Sequence, residues 1–366
     1  MLRTSALVLV HLILYCPAPL HAQDGDAARL IKRLEAGLYA AELKKTVDEL
    51  KAAAPDAATR EAARKALDVN RAKKLEAFRK EFLRRGAQSL PALRAELDGV
   101  RTQALALIFN PTAYPEADHG KAAQPKVDEA VAKVRDLWEN PVPKLLERDK
   151  TLAKQAQDLK VVVFDLIPSL DGPPPPAEAE WTRSLLPEDP GAARKFWTTP
   201  LTPKEKEWLA WNDRVAATNA KTAGVPDACR EQVRILNDYR VMMGVHSLEI
   251  DARLGKAAEK HSVAMQKEGK IWHDGSDGAP DRRIRSEGYP QAATGENVSS
   301  GPKSPAEAHQ AWFESSGHHR NMLSSLWSQI GVGEAENYWT QNFGNAKPAA
   351  GNAPPRLPFA ADKTGR

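Results

Sequence analysis

Nine histidines are the side chains most able to do chemistry in this 366-residue chain, and most of them fall in its last third. His273 follows Trp272 and precedes Asp274-Gly275, a loop-like setting. His318 and His319 follow Gly317, with Ser315 and Ser316 just before. Neutral imidazole is a good ligand for zinc and similar divalent cations, and two of them leave room for a carboxylate and water. No local ligand motif of the H-E-x-x-H kind joins these residues. A Ser/His nucleophile pair built on Ser315 or Ser316 lacks a nameable orienting Asp and oxyanion hole. His261 sits on an apolar helical face and reads as a hydrogen-bonded core histidine. His119 stands alone in a loop and reads as exposed. Cys229 lies near a helix start, where a lowered pKa is conceivable; a small, semi-buried residue is the plainer reading.

These residues need elements to hold them. Asp227 is placed to cap a helix carrying Val233, Leu236, Tyr239 and Met243, and Gly244 ends it. Asp251 is placed to cap a second helix, on which Leu254, Ala257, Ala258, His261 and Met265 share a face. A short helix is expected near residues 281–286. Ser304-Pro305-Ala306-Glu307 has the capping-box pattern and opens a helix through Trp312 and Phe313. Residues 330–335 and 338–344 read as a hairpin, with a third strand near 297–300. Trp312, Trp339 and Phe343 read as core. The expected class is α+β, with helices on a small antiparallel sheet.

The motifs run in order: Leu236–Arg240 (LNDYR), Lys260–Met265 (KHSVAM), Trp272–Gly275 (WHDG), Gly295–Val298 (GENV), Trp312–Leu323 (WFESSGHHRNML), Ile330–Gly333 (IGVG) and Tyr338–Gly344 (YWTQNFG). In this order and spacing, residues 227–344 resemble the CAP superfamily. That superfamily groups cysteine-rich secretory proteins, antigen 5-like allergens and pathogenesis-related plant proteins; the cysteine-poor form is similar to its bacterial branch. The resemblance covers about a third of the chain. It implies an α-β-α sandwich with a cleft faced by two His and two Glu, the two His binding zinc in several members. Residue by residue it assigns His273, Glu296 and His318 to the cleft, with His273 and His318 as the metal ligands. The second Glu falls where this chain has Ser315. Glu314 is one residue early, a rotation of about 100° on a helix. Glu296 then has three available roles: ligand, orienting partner of a His, or acceptor of a proton from bound water. No catalytic residue is named.

Upstream, residues 23–167 read as an all-α helical array or coiled-coil-like domain. Helices are expected over 27–53, 57–85, 90–108, 126–140 and 144–167, with 111–124 irregular. Residues 168–226 read as a Pro-rich linker and connecting helix. Thr202-Pro203-Lys204-Glu205 starts that helix, and Trp208 and Trp211 are set to dock it on a neighbour. Residues 345–366 read as a disordered tail. At the other end Arg3, the apolar run Ala6–Tyr15 and Leu20-His21-Ala22 read as a signal peptide over 1–22, cleaved near Ala22. The mature chain then holds a single cysteine and no internal disulfide. A secreted or periplasmic location follows.

The chain is 42% hydrophobic and 27% charged, with a formal charge of +4. No Lys/Arg block with interleaved aromatics appears, so nucleic acid is not an expected partner. Three functions remain open. One is an extracytoplasmic binding or signalling module with a zinc- or other divalent-metal-capable cleft, recognising an envelope, cell-wall or lipid ligand. Another is a metal-dependent extracytoplasmic hydrolase. The third is a structural envelope protein working through its helical domain.

Overall fold

Helix starts follow the chemistry of their first residues. Thr202 accepts a bond from Glu205 N while the Glu205 carboxylate bonds Thr202 N, closing the capping box. Asp251 accepts from Arg253 N and Leu254 N, and Ser304 from Glu307 N. Asp227 is the first helical residue rather than the cap, which is Pro226. The structure, a computed structural model, describes residues 22–36, 39–185, 202–290 and 295–351. The signal-peptide reading over 1–21, and 352–366 of the expected tail, lie outside the described residues. Among the described residues no helix is long and apolar enough to cross a membrane.

In chain order the helices are α1 (Ala22–Glu35), α2 (Ala40–Ala52), α3 (Ala57–Ile108), α4 (Gln124–Glu139), α5 (Pro141–Arg148), α6 (Lys150–Val161), α7 (Glu178–Ser184), α8 (Pro203–Lys221), α9 (Asp227–Met242), α10 (Ala252–Glu268), α11 (Pro280–Ser286), α12 (Pro305–Phe313) and α13 (Ser316–Leu323). The strands are β1 (Glu249–Ile250), β2 (Gly295–Ser300), β3 (Gln329–Ala335) and β4 (Tyr338–Gly344). Two compact units result: residues 1–84 with 146–188, and 85–145 with 189–366. The division therefore falls inside the 23–167 helical stretch.

The first unit is a helical array. Leu30, Leu34, Leu43, Val47, Leu50 and Leu67 meet Val162, Leu166 and Leu170 in one buried cluster. Helix α6 runs on into a π-helical turn, Val162–Leu166.

Helix α3 differs from the two helices expected over its length. It is one helix of 52 residues with Pro91 inside it. Leu90, Leu93 and Leu97 around the proline are buried. Packing thus outweighs the lost hydrogen bond of an internal proline, roughly 3 kcal/mol.

The second unit holds the sheet, in the order β1-β3-β4-β2. The hairpin pairs Ile330 with Phe343 and Ala335 with Tyr338, and β2 adds antiparallel to β4 with Glu296 opposite Asn342. Strand β1 pairs parallel with β3, so the sheet is mixed, not purely antiparallel. Helix α10 covers β3 and β4, while α9, α12 and α13 gather against β2 and β3 to complete an α-β-α sandwich. Segments outside 227–344 belong to this unit. Asn212 Oδ1 accepts from Ser247 N at 2.7 Å and Asn219 Oδ1 from Ile250 N at 2.8 Å, so α8 satisfies the backbone beside β1. Residues 345–351, expected to be disordered tail, are ordered: Ala349 N and Ala350 N both donate to Glu249.

Gly331 and Gly333 bring α10 onto β3. A Cβ on Gly331 would stand 2.0 Å from Gly255 N, and one on Gly333 2.0 Å from Glu259 N. The obstacle is helix backbone, which has no rotamer to give way. Gly331→Ala is expected to destabilise the second unit by about 3 kcal/mol or more, the upper range for overpacking. Thermal unfolding checks this; a change under about 1 kcal/mol would refute the close-approach argument.

Candidate functional site

Strand β2 delivers Glu296 to the end of the sheet, where its side chain is 3% exposed. A carboxylate so buried needs partners. His273 Nδ1 meets its Oε1 at 2.9 Å, and Arg283, from α11, donates to Oε2 at 2.5 Å. In the orientation that satisfies both ends of its amide, Asn342 also donates to Oε2 at 3.0 Å. Arg283 further donates to the carbonyls of His273 and Gly278. One guanidinium therefore neutralises Glu296 and ties down the loop that carries His273.

In this geometry Glu296 holds His273 in place, one of the three roles open to it. With Nδ1–H given to the carboxylate, Nε2 of a neutral His273 is left free as a lone pair. The hydrogen bond to Glu296 raises the His273 pKa, with burial opposing.

His318 lies on α13. It is half-buried, and its ring nitrogens have no hydrogen-bond partner among the described residues. Burial, then the charges of His273 and His119, push its pKa down to about 4. It is neutral at pH 7 and suited to ligate. Its backbone is fixed by Asn297, whose Nδ2 donates to His318 O at 3.2 Å and whose Oδ1 accepts from Asn321 Nδ2 at 3.0 Å.

His319, next in the chain, stands apart from this pair. It is fully buried, shares a 2.7 Å hydrogen bond with Tyr239 Oη, and lies 4.6 Å from the Phe313 ring. Burial drives its pKa down to about 3. Glu314 does not join the cleft residues. It is exposed and accepts from Gln310 Nε2 at 2.7 Å, in keeping with its offset by one position. His261 is the expected core histidine, 2.7 Å from Asp277 Oδ2 and 2.9 Å from Trp272 O. Cys229 is buried and its thiol is pushed up to about 12, opposite to an activated thiol.

The donor set of His273 and His318 suits a borderline divalent cation, because one imidazole is neutral and the other is backed by a carboxylate. Among the described residues no three His, Cys, Asp or Glu side chains already form a metal-holding group. Other ligands would have to fill the remaining positions.

The sequence reading missed Arg283, Asn297 and Asn321. Asn297 and Asn321 lie inside quoted motifs. Arg283 lies in an Arg-rich helix where nothing marks which arginine is buried.

The family comparison assigns this fold: the model of the cysteine-rich secretory protein family, CAP, matches residues 233–343. This segment of the chain is a CAP domain. The uncharacterized protein YkwD of Bacillus subtilis (strain 168) is 31% identical over 134 residues, 36% of this chain and 52% of the relative. The uncharacterized membrane protein YlbC of the same organism is 28% identical over 130 residues, 35% of this chain and 38% of that protein. The chain thus spans about half of the one relative and less of the other. An extracellular protein containing a SCP domain from Bacillus anthracis str. Ames aligns with a TM-score of 0.32 at 23% identity, covering 41% of this chain and 45% of that one.

Proposed function

We propose that this protein is exported through its N-terminal signal segment and acts outside the cytoplasm as a binding module. Its CAP cleft takes a divalent cation, zinc being the first candidate, between His273 and His318. The carrying observation is the Arg283–Glu296–His273 chain, which leaves Nε2 of His273 unclaimed, while the charge of His273 acts on the neutral ring of His318. With two protein ligands the cation keeps open positions, which an envelope, cell-wall or lipid ligand would fill.

Elemental analysis of the purified full chain after zinc loading tests this. Wild type is expected to retain about one zinc per chain, and His273→Ala and His318→Ala much less. Equal metal content in all three proteins would remove the cation from the cleft.

A further inference from the structure

Helix α8 and the last turn of α4 lie outside the CAP segment, yet together with α9 they line a cavity of about 830 Å³. All three helices belong to the second unit. None of His273, Glu296 and His318 lines this space. A volume of this size suits one small organic molecule.

Its walls are apolar by helical spacing. Ala216 and Ala220 stand one turn apart on α8, and their short side chains leave the space open. Val233 and Val241, two turns apart on α9, line it as well. Trp138 adds an indole from α4, with the buried Arg101 guanidinium stacked 5.1 Å from its ring.

Three asparagines and Ser247 supply the polar lining, and one of their atoms is unspent. Asn219 donates to Leu248 O and accepts from Ile250 N. Asn237 donates to the same carbonyl and accepts from Leu248 N. Asn212 accepts from Ser247 N at 2.7 Å, but its Nδ2 has no partner among the described residues, although Asn212 is only 2% exposed. A buried donor left unmatched is costly, and an acceptor oxygen brought into the cavity would match it.

Charge at the cavity narrows the ligand. Glu139, Asp227, Glu231 and Asp238 outnumber Arg230 and Arg234. Both guanidiniums are engaged within the protein. Arg234 bonds Glu231 at 2.7 Å and Asp238 at 2.6 Å, and Arg230 donates to the carbonyls of Asn219 and Thr222 at the end of α8. An anionic head would therefore meet unfavourable charge.

We propose that this cavity binds an uncharged apolar molecule bearing a carbonyl oxygen: a ketone, ester or amide. The oxygen accepts from Asn212 Nδ2, and the apolar body lies along Ala216, Ala220, Val233 and Val241. The site is independent of the cation reading of the cleft. The region upstream of the CAP segment then builds a ligand pocket with it, one wall coming from α8.

The test is titration of the full chain with methyl octyl ketone and with decanoate, which share a ten-carbon chain and differ in charge, read by saturation-transfer NMR. Wild type is expected to bind the ketone saturably and decanoate at least about tenfold more weakly. Asn212→Asp keeps the acceptor for Ser247 N and removes the donor, so ketone binding should weaken by about tenfold. Ala216 is exposed on α8, so Ala216→Phe fills the space without entering the core and should abolish saturable binding. No saturable ketone binding by wild type, or wild-type binding in both variants, would overturn the site. Decanoate binding as tightly as the ketone would overturn the ligand class.

Discussion

Arg283→Leu is expected to destabilise the second unit by about 3–5 kcal/mol, the range for removing one partner of a buried ion pair. The side chains of Arg283 and Glu296 are 4% and 3% exposed. Without the guanidinium, Glu296 keeps the hydrogen bonds from His273 and Asn342 but has no full counter-charge. The carbonyls of His273 and Gly278 lose their donor as well. Arg283→Lys should fall between wild type and leucine, because an ammonium cannot serve Glu296 and two carbonyls in the fixed fork of a guanidinium. The double variant Arg283→Leu/Glu296→Leu should be more stable than Arg283→Leu alone, since no orphan charge remains buried. Denaturant unfolding of the four proteins checks this. A double variant no better than the single would show that the pair's worth lies in shape rather than charge.

Much of the CAP segment was legible because its signals are local. Caps at Asp251 and Ser304, like that at Thr202 ahead of the segment, depend on side chains within three residues of the helix they start. The hairpin and the strand carrying Glu296 follow from alternation and turn chemistry. Strand β1 was not legible, because two residues give no period and their pairing depends on β3, far along the chain. Helix α3 read as two helices, 57–85 and 90–108, because the buried leucines that hold it together have no local signature. His318 and His319 are adjacent and chemically identical. Which one faces the cleft depends on the aromatic nest of Phe313 and Tyr239 that takes His319. The residues that could do chemistry were visible, and the long-range contacts that select among them were not.

Arg240 is the second position where a large effect is expected, and it shows what one family motif does. It ends the LNDYR stretch and is fully buried. No carboxylate faces it among its hydrogen-bond partners. Nε donates to His246 O at 2.8 Å, and one terminal nitrogen donates to Met322 O at 2.6 Å and Ser324 O at 3.1 Å. Burial draws its pKa down to about 9, so it remains charged at pH 7. The compensation comes from carbonyls at the end of α13, where a helix carries partial negative charge. Arg240→Met should orphan two buried carbonyls, at about 1–3 kcal/mol each, and a part-buried third, and lower stability by several kcal/mol. The loss should also be local in character. Amide hydrogen exchange is expected to rise over 316–323 and 246–250 well before the α1–α2 core of the first unit responds. Because α13 carries His318, loosening it should weaken cleft binding even though Arg240 lies outside the cation's reach. If Arg240→Met left the exchange of 316–323 unchanged, the arginine would not be what holds that helix end, and the position of His318 would rest on Asn297 and on the bonds from Ser316 to Pro115 O and from Arg320 to Tyr114 O instead.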